Sequence, residues 1–174
     1  MDNGFLKQLG IGVASLTFGV ALSIFILAIY AGLVSGIQAW LLYLTTFLLM
    51  LRFWWRYTEL FVQNMPSRGY WHFLFDFAIS FFGIAAVLFV SNIRTWALMG
   101  AAAMLASMIR CGMSWKSAKK KEVKKELKNT VYGSFGMLVI FSLVYLLAPF
   151  FDNLWLAGTV FILVLLFVIY ASRK

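Results

Sequence analysis

Five ionisable residues stand inside or beside long apolar stretches in the first half of the chain. Arg52, Arg56 and Glu59 are spaced by four and three residues, so a helix presents them on one face. His72 and Asp76 are four residues apart and share a face of the next apolar stretch. Charges at membrane depth are costly unless they are paired or reach water. We therefore expect the two arginines to face Asp76 and Glu59 across a helical hairpin.

This polar intramembrane site has two open interpretations. In the first, the ion pairs lock two helices together and the remaining charge reaches the lipid headgroups. In the second, the groups line a water-filled cavity for ions or protons, with Asp76 or Glu59 as the carrier and His72 titrating near neutral pH. A voltage sensor is not indicated, because Arg52 and Arg56 alone do not form an arginine-rich ladder of gating charges.

The composition is that of an integral membrane protein. Of the 174 residues, 63% are hydrophobic and 12% are charged, whereas about 25% are charged in ordinary soluble proteins. Apolar runs long enough to cross a bilayer, about 20 residues each, occupy nearly the whole chain. We therefore expect an all-α, polytopic protein in which residues 1–174 form a single transmembrane domain.

Residues that enzymes and metal sites require are scarce. Cys111 is the only cysteine and His72 the only histidine, which excludes an internal disulfide and a conventional zinc site. The sequence contains no Walker, Rossmann, HExxH or GxSxG signature. We expect no enzymatic activity, no metal site and no cofactor.

Six apolar segments are long enough to be transmembrane helices. The second carries the arginines and the third carries Asp76, and a loop at Gln63–Gly69 joins them. The predicted segments are Ile11–Leu33, a helix from Ala39 to that loop, Trp71–Val90, Thr95–Met113, Val131–Phe150 and Leu154–Ser172.

Basic residues indicate the orientation of these spans. If the N-terminus is inside, the inner segments hold Arg68, a lysine-rich run, and the terminal Arg173 and Lys174. The outer turns hold only Arg94 and Asp152. Because cytoplasmic loops carry the excess of lysine and arginine, both termini are predicted to be cytoplasmic.

The lysine-rich run is the only sizeable hydrophilic piece. Residues 114–129 are predicted to be a basic, cytoplasmic, amphipathic segment between helices four and five, with Ala118, Val123 and Leu127 on its apolar face. Such a segment binds anionic lipids at the bilayer surface or docks an acidic cytoplasmic protein. Nothing in it reads nucleic-acid bases. The lysines are Lys116, Lys119, Lys120, Lys121, Lys124, Lys125 and Lys128.

A stripe of small residues runs along the first helix. Ser15, Gly19 and Ser23 recur every four residues, which allows another helix to approach closely. The stripe is either a packing surface within one chain or part of a pore between chains. A chain of 174 residues has little room to enclose a pathway alone, so we expect a homo-oligomer.

The end of the second helix resembles a known family. Residues 54–61, WWRYTELF, preceded by Phe47, resemble the second-helix end in the prokaryotic members of the transmembrane protein 175 family of potassium channels. Trp54, Leu60 and Phe61 match, while Tyr57 stands where that family tends to have histidine. The resemblance implies six spans per subunit, a tetramer whose first helix lines the pore, and a prokaryotic inner membrane.

Two functions are therefore predicted. The first is an oligomeric membrane protein that conducts ions or couples to them through Arg52, Arg56, Glu59 and Asp76. The alternative is a non-transporting sensor or anchor whose lysines recruit a cytoplasmic partner, as in bacterial defence or signalling systems.

Overall fold

The part of the chain that the structure describes folds into six α-helices. The computed structural model describes residues 3–59 and 70–172, and those two ranges contain helices and turns but no β-strand. The described part is thus all-α, as the sequence predicts. The helices are α1 (Asn3–Tyr30), α2 (Gly36–Tyr57), α3 (Tyr70–Leu88), α4 (Ile93–Ser117), α5 (Lys121–Leu147) and α6 (Asn153–Ser172).

Four of these helices are long and apolar enough to cross a membrane. They contain the segments Gly36–Tyr57, Ile93–Lys116, Lys121–Leu147 and Asn153–Tyr170. The apolar described parts of α1 and α3, Leu16–Tyr30 and Leu74–Leu88, are shorter. Large apolar side chains cover the outside of the bundle, among them Phe77, Trp155 and Ile162. An exterior of this kind is suited to lipid, so the protein has the helices and the surface of an integral membrane protein.

Helix α4 lies between α3 and α5 and packs extensively against both. Its small residues make this position possible, since Ala103, Ala106 and Ser107 are buried. One close approach is at Gly100, where an added Cβ atom would lie 2.6 Å from the ring of Phe141 on α5. Small residues of α4 therefore lie at its contacts with its neighbours.

A buried tryptophan joins α2, α4 and α5. Trp96 is 1% exposed, and its ring meets that of Phe141 edge-on with the centroids 5.0 Å apart. Its indole N–H donates to the Thr46 hydroxyl at 2.8 Å, and that hydroxyl donates to the Leu42 carbonyl at 2.9 Å. Satisfied polar groups of this kind fix the relative position of helices where lipid supplies no hydrogen bonds.

Short turns connect the helices at the end of the bundle opposite the lysines. Gly32 and Gly36 both have positive φ angles, of 71° and 78°, which favour glycine at the α1–α2 turn. Asn92 caps α4 by accepting a hydrogen bond from the Thr95 amide at 3.1 Å. The Arg94 guanidinium lies 4.8 Å from the centroid of the Tyr145 ring.

Candidate functional site

Most of the described charges gather at one end of the bundle. That end is formed by the last turns of α2 and α4 and the first turns of α3 and α5. Among the side chains that the structure describes, this end holds ten cationic groups and four carboxylates, whereas the other end holds Arg94 and Asp152. We call it the charged end. Within it, the side chains form two separate ion-pair groups.

The first group is a buried network around Asp76. Arg110 of α4, which is 2% exposed, donates from Nε to one carboxylate oxygen of Asp76 at 2.8 Å and from a terminal nitrogen to the other at 3.4 Å. The Tyr57 hydroxyl of α2 donates to the same carboxylate at 3.0 Å. Arg110 also donates to the Ser114 hydroxyl. The network therefore ties α2, α3 and α4 together.

The second group is centred on Arg56. One of its terminal nitrogens donates to Glu59 at 2.9 Å, and the other donates to Glu126 of α5. Glu59 is half exposed, whereas Arg56 is 20% exposed. Because a single guanidinium accommodates two carboxylates, this group links the end of α2 to the beginning of α5.

The predicted pairing of the helix-two arginines with Asp76 is wrong. Asp76 is paired with Arg110, while Arg56 is paired with Glu59, as expected from their spacing, and with Glu126. A partner on α4 is physically reasonable, because α3 packs much more extensively against α4 than against α2. The long side chain of Arg110 lies within the packed α3–α4 interface and reaches Asp76 there.

Arg110 and Glu126 are the functional candidates that the sequence reasoning missed. Arg110 stands alone in an apolar helix, and an ionisable residue within a span is itself a signal of a buried partner. Glu126 is surrounded by lysines, so its sequence context suggests a surface ion pair. Only the three-dimensional structure shows that it reaches α2 instead.

Arg52 and His72 complete the predicted site. Arg52 lies one turn before Arg56 on α2 and is half-buried. His72 lies one turn before Asp76 on α3 and is also half-buried. The five predicted residues thus lie at the same end of the bundle, where Asp76 belongs to one ion-pair group and Arg56 and Glu59 belong to the other.

A cavity of about 400 Å³ lies among α2, α4, α5 and α6 at the charged end. Its polar lining includes Arg52, Arg56, Glu126 and Thr130, and its apolar lining includes Met137. Asp76 and Arg110 do not line it. The volume falls within the range of about 300–1,000 Å³ that is usual for ligand pockets. The Arg56 group is therefore accessible from a cavity, and the Asp76 group is part of the packed interior.

The lysine-rich run continues the membrane helices. Residues 114–117 are the end of α4, and Lys121–Asn129 are the first turns of α5. Its apolar residues Ala118, Val123 and Leu127 are buried against the protein, in a cluster with Tyr57 and Cys111. All seven lysines are exposed. The apolar face thus fixes the α4–α5 hairpin in the bundle, and it does not lie against the bilayer surface as the amphipathic pattern suggested.

The remaining predicted features are simpler. In the small-residue stripe of α1, Gly19 and Ser23 are exposed, and the side chain of Ser15 is not among those that the structure describes. Leu60 and Phe61, which carry part of the family resemblance, also lie outside the described residues. Within residues 3–59 and 70–172, the histidine, cysteine and carboxylate side chains form no group that could hold a metal ion. Cys111 is buried.

Comparison of the chain with protein-family models, with curated proteins and with solved structures gives no match. The arrangement of the charged end is therefore the basis for a functional interpretation.

Proposed function

We propose that this integral membrane protein conducts ions, or couples to them, through the cavity at its charged end. The observation that carries the proposal is the lining of that cavity by Arg52, Arg56 and Glu126. Ionisable side chains within membrane helices that face a cavity are typical of ion and proton pathways. The first interpretation offered by the sequence, helix locking, suits the buried pair of Asp76 and Arg110 better.

The distribution of charge supports an orientation for the pathway. The lysine side chains that the structure describes, and all but one of the arginine side chains, lie at the charged end. By the positive-inside rule, this end faces the cytoplasm, with six spans and both termini inside. The cavity then opens on the cytoplasmic half of the membrane, in keeping with a prokaryotic inner-membrane protein.

The outer face of α1 supports assembly into a homo-oligomer. Leu16, Gly19, Val20 and Ser23 are exposed in the single chain, and an added Cβ atom at Gly19 would meet nothing within 4 Å. A face with small residues allows a second helix to approach closely. An oligomer is also what the resemblance to the transmembrane protein 175 family implies.

Ion flux from liposomes tests the proposal. Purified protein is reconstituted, and fluxes of potassium, sodium, protons and chloride are compared for the unmodified chain, Glu126→Gln and Glu122→Gln. We expect flux of one ion class, altered at least severalfold by Glu126→Gln because Glu126 lines the cavity. Glu122 is an exposed residue one turn earlier on α5 and serves as the matched control. Folded protein that transports none of the four ions contradicts the proposal.

A second candidate function, a membrane anchor or sensor, is favoured by the rigid presentation of the lysines. Val123 and Leu127 hold the first turns of α5 in the bundle, while Lys121, Lys124 and Lys125 remain exposed. A fixed cationic surface of this kind suits an acidic cytoplasmic protein. Replacing the seven lysines by glutamine separates the candidates, because an anchor loses its partner and an ion pathway still conducts.

A further inference from the structure

The cavity at the charged end changes character along its length. Arg56 and Glu126 lie at the end of the bundle, whereas Leu49 and Met137 lie deeper. At 1.5 Å per residue, Leu49 is about 10 Å from Arg56 along α2, and Met137 is about 16 Å from Glu126 along α5. Met104 and Phe167 add to the apolar depth. The cavity therefore has a polar mouth and an apolar interior.

The mouth reaches the lateral surface of the bundle between α5 and α6. Tyr132 of α5 and Tyr170 of α6 both line the cavity, and both are 62% exposed. Tyrosines in such positions are typical of the boundary between headgroups and hydrocarbon. A membrane lipid can thus approach the cavity from the side without leaving the bilayer.

The charge around the mouth favours an anion. Both Glu59 and Glu126 are paired with Arg56, and Arg52 lines the cavity beside it. The Lys128 ammonium lies 5.7 Å from the centroid of the Tyr132 ring, which adds a cation at the lateral opening. Among the described side chains around the mouth, the cations Arg52, Arg56 and Lys128 outnumber the carboxylates Glu59 and Glu126. An excess of cations attracts anionic groups.

We infer that the cavity binds one anionic amphiphile, with the headgroup at Arg52 and an acyl chain along Met104, Met137 and Phe167. The shared chemistry is a phosphate or carboxylate joined to a hydrocarbon chain, and the source is either an anionic phospholipid or a fatty acid. Arginine suits both headgroups because its planar donors match their oxygens. The inference goes beyond the proposed ion transport. Binding of the amphiphile can be measured in detergent, where there is no membrane for ions to cross.

Native mass spectrometry of the protein in a non-ionic detergent tests the inference. The probes are phosphatidylglycerol and phosphatidylcholine with the same acyl chains, oleate and oleyl alcohol, and glycerol 3-phosphate as the headgroup alone. We expect one molecule of phosphatidylglycerol or oleate to bind per chain at least tenfold more tightly than its uncharged or zwitterionic counterpart. The tighter of the two anionic probes identifies the source. Glycerol 3-phosphate should not compete.

Three variants locate the binding. Arg52→Gln removes the headgroup contact and Met104→Trp fills the apolar depth, so each should weaken binding at least tenfold. The combined change of Lys119, Lys120 and Lys121 to glutamine alters exposed residues away from the cavity lining and should change affinity less than twofold. Melting temperatures identify any variant that does not fold, and either cavity variant alone is sufficient for the test.

Several results would overturn the inference. Equal binding of phosphatidylcholine and phosphatidylglycerol would show that the negative charge is not needed. Competition by glycerol 3-phosphate would show that the acyl chain is not needed. Loss of binding only in the lysine variant would assign it to non-specific attraction at the surface. Unchanged affinity in a folded cavity variant would place the lipid elsewhere on the bundle.

Discussion

Asp76 shows how a single buried carboxylate can connect three helices. Its oxygens accept hydrogen bonds from Arg110 of α4 and Tyr57 of α2, and its side chain is only 14% exposed. A terminal nitrogen of Arg110 donates a further hydrogen bond to the Ser114 hydroxyl. Removing one member of such a pair leaves the other charge buried without compensation, which costs more than losing both.

Single replacements in this pair are therefore expected to be more harmful than the double replacement. Asp76→Asn or Arg110→Met alone should lower the free energy of unfolding by about 3 kcal/mol, while the double variant should recover part of that loss. Denaturation of the purified protein in detergent measures all four states of the cycle. Arg52→Leu is the comparison, because its effect should add to that of Asp76→Asn. Additive losses for Asp76 and Arg110 would show that the pair is not coupled.

Sequence spacing predicted the contact between Arg56 and Glu59 but not the partners of Asp76. Contacts three or four residues apart follow from helical geometry alone. The contacts of Asp76 with Arg110 and of Arg56 with Glu126 span 34 and 70 residues, so they depend on which helices are neighbours. The spacing of charges along a sequence does not contain that information.

At the scale of the element, the first turns of α5 have one face packed into the bundle and another exposed at its surface. Leu127 is 0% exposed in the cluster with Tyr57 and Cys111, while Lys124 and Lys128 on the same turns are exposed. The sequence pattern indicated an amphipathic segment over residues 114–129, and the structure divides these residues between the end of α4 and the first turns of α5. The pattern could not indicate the surface that the apolar face covers, because protein and lipid are equally apolar partners.

The variant Leu127→Ala tests whether the apolar face of α5 packs against protein or against lipid. Burial against protein predicts that the change lowers the free energy of unfolding by about 3 kcal/mol, because it leaves a cavity at a fully buried site. Lys124→Ala, at an exposed position on the same helix, should change it by less than about 0.5 kcal/mol. Chemical denaturation in detergent provides the comparison. If Leu127 lay on lipid, its variant would be as stable as the control.

Gly100 provides a second test of packing, at the contact between α4 and α5. Gly100→Ala would place a Cβ atom 2.6 Å from the Phe141 ring, so one of the two helices must move. We expect a loss of about 2 kcal/mol. Gly112→Ala, on the same helix with nothing within 4 Å of the added atom, should be neutral or stabilising through helix propensity. Equal effects of the two variants on the melting temperature would contradict the close contact.

Helix boundaries were predicted less well than helix number. α5 begins at Lys121, ten residues before the predicted start at Val131, because charged residues can continue a helix beyond the hydrocarbon region. At 1.5 Å per residue, the 27 residues of α5 span about 40 Å, more than the bilayer core of about 30 Å. Hydropathy identified the apolar part of the element and not its full length.

At the scale of the whole molecule, charge and packing divide the bundle into two ends with different properties. One end has short turns and few described charges, while the other combines a buried ion-pair network, a cavity and an exposed lysine surface. Composition and the positive-inside pattern predicted this asymmetry. The cavity could not be predicted, since it depends on the separation between α2 and α5, which the Arg56–Glu126 pair bridges.

The most direct test of the account is the accessibility of Thr130, which lines the cavity, during ion flux. Thr130→Cys is introduced together with Cys111→Ser, reconstituted in liposomes of known orientation, and treated from either side with a charged thiol reagent that does not cross membranes. We expect modification only from the cytoplasmic side, with inhibition of flux. Ser91→Cys, an exposed residue at the other end, should react only from outside and leave flux unchanged. Modification of Thr130→Cys from the outside, or full modification without any change in flux, would contradict a cytoplasmic, ion-carrying cavity.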